Sequence, residues 1–146
     1  MKVLLDTNII LDFALERHPW FTNSEQIIYF AEQEKIVSYV SASTISDLYY
    51  IITKSKGKEL ALEFIVNLTT ISQIAAVDSF VVSMALKVNF KDFEDAIQYS
   101  TAVVNNLDAI ATRNPQDFPV QTPRILTPNQ LIQEVEQQID LKKDKD

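Results

Sequence analysis

At 146 residues the chain is long enough for one domain with its own core and leaves little room for a second. Apolar residues make up 47% and charged residues 23%, a soluble globular balance, and zero cysteines exclude disulfides and thiolate metal sites and fit a reducing cytoplasm. A net charge of −7 argues against gripping nucleic acid by bulk positive charge, and a single glycine excludes the glycine-rich phosphate cradles of P-loop and dinucleotide-binding proteins.

The opening Met1-Lys2-Val3-Leu4-Leu5-Asp6 meets an acid too early for a signal peptide, and no apolar run nears the roughly 20 residues of a membrane span. Lys2 to Leu5 reads as a short buried strand. Ile9, Ile10, Phe13 and Ala14 recur at helical spacing and predict a helix over 9–16. Ile27, Ile28, Phe30 and Ala31 predict another over 24–34, with Ser24 as its N-cap. Ile36 to Val40 is short and β-rich, a second strand. Helices are expected over 44–53 and 58–68, separated by the turn Lys56-Gly57-Lys58.

A third strand is expected over 74–77, then a helix over 79–88 with Val81, Val82, Ala85 and Leu86 on its apolar face. Phe93 to Val104 is helical and ends in the turn Asn105-Asn106. Ala109 to Ala111 and Arg124 to Leu126 supply the last strands, and Pro128 opens a final helix through Gln138. The pattern predicts a single domain over 1–139, with residues 140–146 as a charged, frayed tail. Strands alternating with helices indicate an α/β three-layer sandwich with a mainly parallel central sheet.

In such sheets ligands bind beyond the carboxyl ends of the strands. Asp6 directly follows the first strand, which marks it as functional. Asp47 follows the second strand, Asp95 opens the helix at Asp92-Phe93-Glu94-Asp95, and Asn114 and Asp117 follow the fourth strand. These segments can meet at one sheet edge. Clustered carboxylates repel one another unless a cation offsets the repulsion, and magnesium or manganese prefers such oxygen ligands. A bound cation of this kind would also reverse the local sign of an acidic site. Hydrolysis by metal-activated water needs neither serine nor histidine, consistent with a single histidine, His18, read as a loop residue packing on an aromatic neighbour.

Helix capping competes for two of these acids. Thr44-x-x-Asp47 matches a capping box, and Asp92 followed by Asp95 matches an N-cap with an acid at its third helical position. Thr7 and Asn8 either orient Asp6 or, for Asn8, cap the first helix; Thr112 either braces a carboxylate or merely ends a strand. Arg113 either reaches a substrate phosphate or pairs with a surface acid.

Taken together, Leu4-Leu5-Asp6-Thr7-Asn8, Ser43-Thr44-Ile45-Ser46-Asp47-Leu48, Phe93-Glu94-Asp95-Ala96-Ile97-Gln98 and Ala111-Thr112-Arg113-Asn114-Pro115-Gln116-Asp117-Phe118 resemble the PIN-domain nucleases. The likeness runs from Leu4 to about Pro128 and points to the bacterial branch with VapC-like toxins. It implies a metal-dependent endoribonuclease using magnesium or manganese, with Asp6, Asp47, Asp95 and Asp117 as the acids. Asp47 stands where many members carry glutamate, and Asn114 stands where members often carry aspartate. The resemblance further implies a small antitoxin as partner and pairing as a homodimer. Arg113, Lys54 and Lys91 are the cations expected along the RNA backbone.

Two phosphoryl-transfer classes that also place an aspartate after a strand fit less well. A receiver domain needs an acidic pair where Leu5-Asp6 stands, and a haloacid-dehalogenase-type phosphatase needs aspartate at Asn8. The remaining rival is a PIN fold that binds RNA or a protein without cutting.

Overall fold

The computed structural model describes residues 1–145. Five short strands form one sheet in which every pairing is parallel: β1 (Lys2–Leu5), β2 (Val37–Ser41), β3 (Gln73–Ala75), β4 (Ala109–Ala111) and β5 (Arg124–Leu126), in the order β3-β2-β1-β4-β5. β1 is central because it is apolar on both faces. Val3 and Leu5 enter the larger core and Leu4 the smaller, each fully buried. Its register pairs Leu4 with Tyr39 of β2 and with Ile110 of β4.

Helices cover both faces. On one side lie α1 (Thr7–Ala14), α2 (Phe21–Glu32), α3 (Ala42–Lys56), α4 (Lys58–Ile71) and α7 (Pro128–Lys145), joined through Ile9, Ile27, Leu48, Ala61 and Leu131. On the other lie α5 (Ser79–Lys87) and α6 (Phe93–Val104), where Ala102 and Phe118 pack with Leu4 and Ile110. The architecture is the expected three-layer sandwich, with a sheet wholly rather than mainly parallel. No helix among the described residues is long and apolar enough to cross a membrane.

Several local expectations change. α2 begins at Phe21, so Ser24 is not its cap; it is buried within the first turn and donates to the Phe21 carbonyl at 2.9 Å. α3 begins at Ala42 with Ser41 as N-cap, its hydroxyl accepting from the Ser43 amide at 3.3 Å. The capping box at Thr44 therefore does not form, and Asp47 sits in the second turn. Gly57, at φ 91°, lies in the left-handed region and separates α3 from α4, a conformation that glycine adopts without strain. Asn106, at φ 55°, turns the chain after α6. The segment expected to fray from residue 140 is helical through Lys145, because Val135 and Ile139 seat α7 on the core and Lys142, Lys143 and Lys145 suit a helix carboxyl end. Asp146 lies outside the described residues.

Candidate active site

The strand order reverses direction between β1 and β4, the place where open parallel sheets bind ligands. Asp6 leaves β1 at this point. Its amide donates to the Ala111 carbonyl of β4 at 3.0 Å, so the sheet ladder fixes its backbone. Its carboxylate is buried and accepts from two neutral donors, Thr112 Oγ1 to Oδ2 at 2.7 Å and Gln98 Nε2 to Oδ1 at 3.2 Å. Thr112 Oγ1 in turn accepts from the Asn114 amide at 3.1 Å, which ties the loop after β4 to the same carboxylate. Of the two readings of Thr112, bracing is the one this geometry carries.

A cavity of about 370 Å³ opens beside Asp6. Asp47, Glu94, Asp95 and Asp117 line it, with Asn8 and Asn114. α3 brings Asp47, α6 brings Glu94 and Asp95, and the 3₁₀ turn Pro115–Asp117 brings Asp117. All four acids singled out from the sequence thus reach one cavity, and so do Thr7, Asn8 and Asn114. Thr7 Oγ1 lies 2.9 Å from Thr44 Oγ1, both buried, a bond that joins the start of α1 to the start of α3 and so relates Asp6 to Asp47. Asn8 is the second residue of α1 rather than its cap, since the chain enters that helix through Asp6. Asp92 does cap α6, accepting from the Asp95 amide at 3.0 Å.

The electrostatics follow from this crowding. Burial pushes the Asp95 carboxyl up to about 7, and the negative charges of Asp92, Asp6, Asp117 and Glu94 push the same way. Glu94 is also raised, by burial first and by Asp47 next. A group of acids that holds a proton near neutrality is one that favours positive charge. The donor set is all oxygen, and Gln98 Oε1 is a buried acceptor without a hydrogen-bond partner. By chemistry these residues fit a hard divalent cation. Among the described residues no three acidic, histidine or cysteine side chains stand close enough together to hold one ion, so the carboxylates line the cavity without converging on a point.

Three members of this neighbourhood have no assigned role in the sequence reading. Gln98 and Glu94 lie in Phe93-Glu94-Asp95-Ala96-Ile97-Gln98, where spacing by three and four residues sets Gln98 on the face of α6 that carries Asp95 and Glu94. Asp12 is the third. It is an acid inside the apolar run of α1 and is 1% exposed. Arg113 meets it, with Nε 2.7 Å from Oδ2 and Nη2 donating to Oδ1 at 3.3 Å. The partner of Arg113 is therefore a buried acid, not a surface one, and its guanidinium is held away from free solution. Arg113 also lies over the Trp20 ring at 4.0 Å, while His18 packs edge-on against Phe21 instead. Lys54 is exposed one turn beyond the cavity-lining Ile51, with Nζ 4.4 Å from the centre of the Tyr50 ring; Lys91 is exposed beside Asp92.

A profile of the PIN domain matches residues 2–116. The chain is 32% identical over 106 residues to a protein of Aquifex aeolicus named Ribonuclease VapC1, covering 69% of this chain and 73% of that one. Among solved structures it resembles a toxin–antitoxin complex from Klebsiella pneumoniae at a TM-score of 0.67 and 23% identity, over 86% of this chain and 97% of the other. It also resembles Mycobacterium tuberculosis VapC20, described as a Sarcin-Ricin loop cleaving toxin, at 0.59 and 10% identity over 74% and 86%. At these identities the solved structures speak to the fold alone.

Proposed function

This chain belongs to the PIN-domain family, and we propose that it is a ribonuclease that hydrolyses RNA phosphodiesters with magnesium or manganese, for which Asp6, Asp47, Asp95 and Asp117 would supply the carboxylates as they draw together around the ion. The observation that carries the reading is a buried carboxylate oriented by Thr112 and Gln98 at the switch point of the sheet, facing a cavity walled by further acids. The similarity to a protein named as a ribonuclease supports the substrate class. A divalent ion bound there would supply a lowered pKa for water and charge stabilisation for the phosphodiester.

The chain's own residues do the rest. Thr112 and Gln98 hold Asp6 by both oxygens, so it presents a fixed orientation rather than a rotating one. The Thr7–Thr44 bond keeps Asp47 in register with it. One of these acids, through a bridging water, would take the proton of the attacking water. Asn114 offers a neutral oxygen beside Asp117. Lys54 and Lys91, both exposed, contact the RNA backbone, and Arg113 contributes by fixing the loop it stands in.

The same reading makes the protein the toxin of a type II toxin–antitoxin pair, acting in the cytoplasm and blocked by a small antitoxin protein. It also forms a homodimer. Phe80 at 74% and Leu86 at 71% exposure on α5 supply apolar surface for such an isologous contact. Light scattering at high protein concentration is expected to give twice the 16.6 kDa chain mass, and a monomer would refute the pairing.

The test is cleavage of structured RNAs in magnesium or manganese by wild type and by Asp95→Asn prepared identically. Cleavage should require the ion and fall sharply in the variant. Activity that survives EDTA, or persists undiminished in Asp95→Asn, refutes the mechanism. Metal-dependent thermal stabilisation without turnover on any cellular RNA would instead favour a non-catalytic PIN-fold binding module.

A further inference from the structure

We propose that Trp20, held by Arg113, is a stacking platform for an unpaired nucleobase of the RNA; the proposal rests on the ribonuclease reading and assigns its substrate a contact outside the carboxylate cavity, on the ring that the loop after β4 holds. Trp20 is the chain's single tryptophan and is 44% exposed, although the Arg113 guanidinium lies over one face of its ring at 4.0 Å. A large indole left this open forfeits much of the benefit of burial.

The ring is nevertheless held from beneath. Arg113 is anchored by an ion pair to Asp12, a carboxylate 1% exposed, and so covers the indole as a fixed cation. The anchor is also part of the active-site loop. Arg113 stands between Thr112, which donates to Asp6, and Asn114, which lines the cavity. Trp20 is thus tied, through Arg113, to the loop that also carries Asn114 and Asp117 into the cavity.

Charge gives the platform its purpose. Thirteen lysines and arginines face twenty aspartates and glutamates, and Arg113 is engaged by Asp12, so phosphate contacts alone provide a weak grip. Stacking needs no net charge. Every base has an aromatic face, an indole backed by a cation accepts any of them, and only an unpaired base can reach it. The ligand class is thus a single-stranded or looped-out nucleobase.

Because Trp20 is the chain's single tryptophan, its fluorescence reports the contact directly. Wild-type protein in magnesium is mixed by stopped flow, before turnover, with a short single-stranded RNA and with an abasic phosphodiester oligomer of equal length. Quenching by the base-bearing strand and none by the abasic one is expected. Equal responses, or no response to either, overturn the proposal. In parallel, Trp20→Ala should raise KM about tenfold with kcat within about twofold, and Trp20→Phe should keep most of the affinity. Circular dichroism checks that each variant is folded, and Trp20→Phe keeps the test decisive should Trp20→Ala unfold. If Asp6→Asn abolishes cleavage while Trp20→Ala cuts with wild-type KM, the platform fails and the ribonuclease stands. If no RNA is cut yet quenching remains base-dependent, the catalytic reading fails and the nucleobase site stands.

Discussion

Asp6 and Asp12 lie six residues apart, one at the start of α1 and one within it, and both are buried, yet their surroundings differ in kind. Asp12 is met by a guanidinium at 2.7 Å, with a second arginine, Arg17, 3.8 Å away. Asp6 is met by a hydroxyl and an amide, and its charged neighbours across the cavity are other acids. The difference teaches how to separate a structural acid from a functional one. An acid whose counter-charge is supplied by the chain is complete; an acid oriented by neutral donors among like charges is left to bind a cation from solution.

The largest expected effect breaks the functional member. Asp6→Asn keeps the size of the side chain and its hydrogen-bonding reach but removes the charge. Cleavage should fall by about a thousandfold or more, while the metal-free melting temperature stays near or above that of wild type. Calorimetry with magnesium should show the metal-dependent stabilisation largely gone. An identical metal response in wild type and variant would remove Asp6 from the site.

The structural member breaks differently. Arg113→Met leaves buried Asp12 only the longer, 3.8 Å contact with Arg17, which costs up to about 3–5 kcal/mol. For a chain of this length that is up to about 10–16 °C in melting temperature. Adding Asp12→Leu should recover most of the loss, since an apolar pair of similar volume replaces a buried ion pair at little cost. Chemical denaturation of the two single variants and the double variant measures the coupling. A mild single variant with no recovery in the double would mean that the pair is incidental.

A finer test sharpens the contrast by removing the neutral donors. Thr112→Val and Gln98→Leu each delete one hydrogen bond to Asp6, and each should lower metal affinity or activity by about 10–100-fold. Thr112→Ser should restore most of it, because the hydroxyl returns. Should Thr112→Val match wild type in metal affinity by titration calorimetry, the orienting role of Thr112 is wrong.

The sequence made Asp6 legible and hid Asp12, for physical reasons. A polar residue closing a short apolar strand is visible as a break in pattern, and the sheet then dictates where it stands. Asp12 sits in Ile9-Ile10-Leu11-Asp12-Phe13-Ala14, where helical periodicity alone gives an acid no partner; Arg113 is about a hundred residues away and reaches it only through the fold. Gln98 was hidden similarly. It lies in a motif shared with the family, but its bond to Asp6 spans 92 positions. Asp6 and Asp117 were legible because parallel β-sheet topology gathers strand ends whatever the loops do, whereas Asp47 and Asp95, carried on α3 and α6, were legible through the motifs around them. Cap positions were less so: at Ser41, Ser43 and Thr44 three hydroxyls compete, and burial of Thr44 against Thr7 settled the choice for Ser41. The extent of α7 was set by packing of Val135 and Ile139, which its polar composition obscures.

The smallest expected effect concerns protons. In the unfolded chain the Asp95 carboxyl titrates at its ordinary value of 3.8, while burial and the surrounding acids raise it to about 7 in the fold. Between those values the folded chain holds a proton that the unfolded chain has released. Stability in EDTA should therefore fall as pH rises through this window and level off above about 7. Glu94 and Asp12 are raised too, each by burial first, and their contributions carry the same sign. Asp95→Asn has no proton to lose, so its melting temperature should decline less steeply between about pH 5 and pH 8, the residual slope belonging to the other two acids. Magnesium should restore stability most at the alkaline end, where it no longer competes with the proton. Thermal melts of both proteins across this range, with and without the ion, read all of these effects. Parallel slopes in wild type and Asp95→Asn would mean that Asp95 does not carry the proton.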